Sequence, residues 1–212
     1  QILLDVTSEQ SIARALKTII VNEKRIDVLI NNAAIDSKVN TKNMTNSSRL
    51  ETFSLDQWNK ELNVGLTGAF LCSKKIGTHF AQNKGGVILN IASDLSVISP
   101  DQRLYKSKDI YNEDEQPVKP ITYSVIKSAL IGLTKYLSTY WINGNVRVNA
   151  LSPGGIYIDQ PKEFVDYIKK LIPLGRMAER KEYKSAVQFL CSDGSKYMTG
   201  QNIIIDGGRS VW

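Results

Sequence analysis

Histidine is nearly missing: His79 is the only one in 212 residues. That excludes metal centres built from several histidines, and a serine–histidine hydrolase would have only His79 to use. His79 stands in a lysine-rich helical stretch that reads as surface. Cysteine is scarce too, with Cys72 and Cys191 isolated in apolar segments. This predicts buried free thiols in a reducing cytoplasm rather than a disulfide. No apolar run approaches the roughly 20 residues of a membrane span, and no signal-peptide pattern opens the chain. Charge of one sign is not abundant either. Lys and Arg number 27 against 21 Asp and Glu, a net charge of +6 that is scattered rather than banded. Scattered charge reads as solvated surface, admits an anionic substrate as second choice and argues against nucleic acid. An initial methionine is also lacking.

What is present suits one soluble domain with a substantial core, at 42% hydrophobic and 23% charged residues. Short aliphatic runs alternate with helical patterns. Gln1–Val6 reads as a buried strand already in progress, so the sequence is expected to begin inside its domain. Thr7 or Ser8 caps a helix over Glu9–Asn22 with Ile12, Ala15, Leu16, Ile19 and Ile20 on one stripe. Ile26–Ala34 is a second aliphatic strand, ending in Asn31, Asn32, Ala33 and Ala34. A polar loop over Ile35–Ser54 follows. Its glycosylation-like triplets at Asn43 and Asn46 read as chance matches. A long helix runs over Leu55–Phe80, its pattern interrupted at Asn63 beside Gly65 and Gly68.

Gly85-Gly86 then turns the chain into a strand over Val87–Ser93. A charged, proline-bearing loop occupies Leu95–Pro120. The helix carrying Tyr123 ends near Asn143-Gly144, and Val146–Ser152 is the next strand, stopped by Pro153-Gly154-Gly155. Ile156–Arg180 is irregular, with a short helix over Glu163–Leu171. A last helix covers Lys181–Leu190, and Asn202–Ile205 closes on Asp206-Gly207-Gly208. Aliphatic runs without polar alternation, separated by helices, predict a parallel α/β sheet covered on both faces. In such sheets ligands gather at the carboxyl ends of the strands.

Within the Tyr123 helix, Tyr123 and Lys127 lie four residues apart, on one face and one turn from each other. A free phenol titrates near pH ~10 and is a poor proton donor or acceptor at neutral pH. A neighbouring ammonium favours the phenolate and brings it toward the working range. By itself the pair also fits an amphipathic face with a snorkelling lysine.

In combination the motifs say more. Asn31-Asn32-Ala33-Ala34, Asn63, Ser93, Tyr123/Lys127, Pro153-Gly154 and Asp206-Gly207-Gly208, in this order, resemble the short-chain dehydrogenase/reductase family across nearly the whole chain. The resemblance implies a Rossmann-like, doubly wound parallel sheet and an oxidoreductase using NAD or NADP. It implies that Tyr123 is the general acid/base and that Lys127 holds the phenol near its anionic form and hydrogen-bonds the nicotinamide ribose. Ser93 would donate to the substrate oxygen, and Asn63 would anchor a water behind Lys127. Asp5 and Val6 would lie against the adenine, Asn32, Ala33 and Ala34 would line the cofactor cleft, and the backbone from Pro153 to Ile156 would hold the carboxamide. The helices around Asn63 and Tyr123 would form a homodimer or homotetramer.

The chain departs from the family pattern in three respects. The glycine-rich phosphate loop and the strand after it are not in the sequence. A strand-helix-strand-helix of roughly 50–60 residues is expected to precede Gln1. Ile158 stands where the family often has a cofactor-touching threonine. Finally, the intervals from Asn31 to Asn63 (32 positions) and from Ser93 to Tyr123 (30 positions) are long. Both added loops are polar and would border the substrate side, which points to a sugar-like or other polyhydroxylated substrate. An alternative of a different class is a catalytically silent binding or regulatory module.

Overall fold

The computed structural model describes residues 1–35, 48–108 and 110–212. Asn43 and Asn46 lie outside them. Four parallel strands, β1 (Val28–Asn31), β2 (Gly86–Ile91), β3 (Val146–Pro153) and β4 (Asn202–Ile205), pair in sequence order. All carboxyl ends therefore fall on one edge. The sheet is Rossmann-like, covered on both faces as the apolar runs require. On one face Leu16, Ile76, Phe80 and Leu137 pack over Ile88, Val146 and Val148. On the other, Leu190 packs over Leu89 and Leu151.

Ser8 caps α1 (Glu9–Glu23) by accepting the Ser11 N–H, and Lys24 closes it in the left-handed conformation. The long second helix is continuous but not uniform. Its segments α2 (Leu55–Leu62), α3 (Gly68–Cys72) and α4 (Thr78–Gln82) are joined by π-helical turns at Asn63–Thr67 and Ser73–Gly77. The first π turn coincides with the interruption in the sequence pattern at Asn63. Glycine lets neighbours approach there: a Cβ on Gly65 would lie 2.9 Å from Ile126, and one on Gly68 would lie 2.7 Å from Val6. Ile126 belongs to α5 (Ile121–Tyr140), the helix that carries Tyr123 and Lys127. α6 (Lys162–Ile168) and α7 (Lys184–Cys191) complete the set.

One expected strand is absent. Gln1–Val6 pairs with no strand among the described residues, Val6 lies in a turn, and Leu3 is 98% exposed. An aliphatic run becomes a strand only where a neighbour can take its N–H and C=O groups, and no paired edge adjoins this one. The loop over Leu95–Pro120 holds three short 3-10 turns, Asp94–Ser96, Gln102–Tyr105 and Glu113–Glu115. Cys72 is buried and Cys191 half-buried, both as free thiols. Among the described residues no helix is long and apolar enough to cross a membrane.

Candidate active site at the carboxyl edge

α5 starts where Pro120 supplies a fixed φ and no N–H to satisfy. It lies along β2 and β3, so its first turns overhang the carboxyl edge. Lys127, 8% exposed, donates from Nζ to the carbonyl oxygen of Ile91 at 2.8 Å. Its ammonium is thereby fixed at the end of β2, two residues before Ser93. Nζ is also 5.7 Å from the centre of the Tyr123 ring. The spacing of Tyr123 and Lys127 thus produces the predicted juxtaposition. A second cation was not foreseen: Lys119 Nζ stands 3.7 Å from the same ring centre.

Ser93 is buried, directly before the turn Asp94–Ser96 that packs against the same helix. Its hydroxyl donates to Asp94 Oδ1 at 2.9 Å, and the Leu95 N–H donates to its oxygen at 3.2 Å. Asp94 Oδ2 accepts from Arg209 Nη1 at 2.8 Å, with both side chains under a tenth exposed. A third buried carboxylate-centred contact braces the helices. Glu61 on α2 accepts from Thr122 on α5 and from Gln57 Nε2 at 2.5 Å. Under β1 and β2, Asn31 donates to Ser73 and Asn90, and Asn90 donates to Thr134. This closed polar chain sets the helix layer against the sheet, since buried amides require partners.

The other predicted positions are more dispersed. Asn32, Ala33 and Ala34 are exposed just past β1, with short side chains that leave the edge open. The exposed carboxylate of Asp5 accepts from the Thr7 hydroxyl and N–H, and these bonds hold it below the usual carboxylate range. Val6 packs against Gly68. Gly154 donates to Ile205 and accepts from Tyr183, so its polar groups fix the loop after Pro153 to β4. The Ile156 carbonyl accepts from Gln160, and Ile158 is half-exposed beside it. Asn63 is exposed, its own carbonyl accepting the Gly68 N–H across the π turn. Burial and the charge of Asp94 push the Tyr183 phenol up to about 12.

These residues fit a nicotinamide dinucleotide on their chemistry. They offer an open edge of small side chains at Asn32–Ala34, a charged acceptor at Asp5 and a fixed ammonium at Lys127. Lys119 and Ser124 also line a cleft of about 330 Å³, together with Arg49, Glu51 and Gln102 and the apolar Leu50, Pro100, Val118, Pro120 and Ile121. Both long loops therefore contribute to it. They are also tied together: Arg49 Nη1 donates to the carbonyls of Glu113 and Gln116, and the Val118 N–H donates to Ser48.

Comparison with known proteins agrees with this fold. A family model described as short chain dehydrogenase matches residues 1–107, and one described as enoyl-(acyl carrier protein) reductase matches residues 111–210. The NAD-dependent glycerol dehydrogenase of Listeria innocua is 30% identical, over 98% of this chain and 74% of its own length. A 3-oxoacyl-(acyl-carrier-protein) reductase of Aquifex aeolicus is 32% identical, over 97% of this chain and 74% of its own length. The crystal structure of a short chain dehydrogenase from Leptospira borgpetersenii with bound NAD+ superposes with a TM-score of 0.84. It is 32% identical, covering 98% of this chain and 74% of that one.

Proposed function

Since the chain belongs to the short-chain dehydrogenase/reductase family, we propose that it is an oxidoreductase using NAD or NADP to interconvert a hydroxyl and a carbonyl on a polar, sugar-like substrate. In this reading Tyr123 is the general acid/base. One observation carries it: Lys127 is fixed at the carboxyl end of β2, its Nζ 5.7 Å from the centre of the Tyr123 ring.

When bound, the nicotinamide supplies a hydride acceptor or donor; the chain's residues do the rest. Asp5 and Val6 would hold its adenine, Asn32, Ala33 and Ala34 would line the cleft it enters, Lys127 and Tyr123 would hold its ribose, and the backbone of Pro153, Gly154 and Ile156 its carboxamide. In oxidation the Tyr123 phenolate takes the substrate's hydroxyl proton, and in reduction the phenol returns it. Lys127 stabilises the phenolate by its charge. Ser93 hydrogen-bonds the substrate oxygen, on which charge develops. Asn63, on the π turn, orders water behind Lys127.

The polar substrate is argued from the cleft. Arg49, Glu51, Gln102, Lys119 and Ser124 offer hydrogen-bonding and charged groups of both signs. Leu50, Pro100, Val118, Pro120 and Ile121 stand among them, so the polar-substrate reading rests on these charged and hydroxyl groups and not on a wholly polar wall. The glycerol dehydrogenase relative is consistent with this choice, while the acyl reductase relative is the competitor. We place the 212 residues in one cytoplasmic oxidoreductase domain. A homodimer or homotetramer would form through the helices around Asn63 and Tyr123, where Phe70, Tyr136 and Tyr140 are exposed.

The test has two stages. NADH and NADPH are titrated by fluorescence, and turnover is then measured on polyols, sugar acids, hydrophobic ketones and acyl thioesters. Cofactor binding with turnover of polyols or sugar acids is expected. Turnover confined to hydrophobic ketones or thioesters would overturn the substrate class. Binding of neither cofactor would leave the silent binding module as the better account.

A further inference from the structure

We infer that Arg209 and Asp94 form a positioning device for Ser93, through which the Asp-Gly-Gly turn after β4 governs how the serine hydroxyl is presented to substrate. The inference rests on Ser93 being the group that touches the substrate oxygen.

Asp206 begins the device. Its two carboxylate oxygens accept the N–H groups of Gly208 and Ser210, at 2.9 and 2.8 Å. Gly207 and Gly208 take the left-handed conformation, φ 70 and 90, which a side chain would strain. The turn they make sends Arg209 back beneath the Ser93 loop, where it meets Asp94. Asp94 does not only answer Arg209: its other oxygen holds the Ser93 proton and also accepts the Leu95 N–H at 2.9 Å.

This has a consequence for the serine. Its one proton is held by a carboxylate, while a substrate carbonyl would compete for the same proton. An ionised carboxylate is the stronger acceptor unless its charge is drawn away. Arg209 draws it away, so the hydroxyl stays oriented yet can turn to the substrate. Without the guanidinium, Asp94 would hold the proton and place an uncompensated negative charge beside the oxygen on which charge develops. Asp101 is the further acidic group near Arg209, but Asp101 is bound mainly to Arg103.

The experiment uses Arg209→Gln, Arg209→Lys, Asp94→Asn and the Asp94→Asn/Arg209→Gln pair, each made with Ser93 and with Ser93→Ala. Activity is measured on the best polyol or sugar acid from the panel, and folding is checked by thermal melting. Arg209→Gln is expected to lower kcat about 100-fold with KM changed less than threefold. Arg209→Lys restores most of that loss, and in the Ser93→Ala background the Arg209 change costs less than threefold. Equal cost in both backgrounds means a structural role only and overturns the inference. Asp94→Asn/Arg209→Gln carries no unpaired buried charge and should keep more activity than Arg209→Gln alone.

A readout independent of turnover separates this inference from the reading it rests on. In Ser93→Cys, alkylation of residue 93 by iodoacetamide is followed by peptide mapping, with Cys72 and Cys191 as internal references. Arg209→Gln should slow the reaction about tenfold, because the nearby carboxylate then opposes the thiolate. Asp94→Asn should quicken it. Rates indifferent to both changes sink the device even if the enzyme is active; the expected rates with no turnover on any substrate would indict the oxidoreductase reading instead.

Discussion

Ser93 sits 4% exposed behind a carboxylate that is itself paired to a buried guanidinium, while Tyr123 stands half-buried under Lys119, a residue that lines an open cleft. The serine half is built from groups distant in sequence that close on one another. The tyrosine half is built from one helix plus loops of mixed charge. The contrast teaches a division of labour. Atoms that must stay in place are enclosed and satisfied, and those that must meet varied substrate hydroxyls are left at a polar surface. Glu61 and Thr122 brace the tyrosine half, anchoring the start of α5 to α2 one residue before Tyr123.

The largest break in this contrast is Tyr123→Phe. It removes the hydroxyl that carries the proton, so kcat should fall about 1,000-fold, within the usual range for general acid–base catalysis. NADH affinity, read by fluorescence titration, should change by less than about twofold. Normal turnover would end the assignment. A sharper and smaller test is Lys119→Met, which keeps the stem over the ring and removes the ammonium. An exposed cation–π contact is worth roughly 0.5–1 kcal/mol, so kcat/KM should fall about two- to fivefold. A loss as large as that of Tyr123→Phe would move Lys119 into the reaction itself.

The smallest effect lies on the enclosed side. The Tyr183 phenol titrates at about 12 against an ordinary 10.0, chiefly because it is buried. A raised value means that the folded chain holds a proton the unfolded chain has released. That contribution is complete below pH 10 and is lost as pH rises through 12. Tyr183→Phe should therefore flatten the fall in melting temperature over that alkaline window. An unchanged slope would show that Tyr183 does not govern it.

Much of this architecture was legible in the sequence because it depends on local pattern. The aliphatic runs at Val28–Asn31, Gly86–Ile91, Val146–Pro153 and Asn202–Ile205 are the four strands. The spacing of Tyr123 and Lys127 guarantees a shared face once the segment is helical. Gln1–Val6 misled for an equally physical reason: its composition favours a strand, but a strand needs a neighbour. Asp94 and Arg209 were passed over although each carried a signal, a charge set directly after a motif serine or a glycine pair. Their pairing spans 115 positions, and no local rule relates residues so far apart. Lys119 was hidden for a different reason, because it lies in a loop whose path periodicity does not describe.

That span of 115 positions also orders events in time. β4 ends at Ile205, just before the turn that carries Arg209, so the guanidinium can reach Asp94 only once β4 has paired with β3. On refolding from denaturant, circular dichroism should recover first and catalytic competence last, the serine becoming useful only when the final turn has docked.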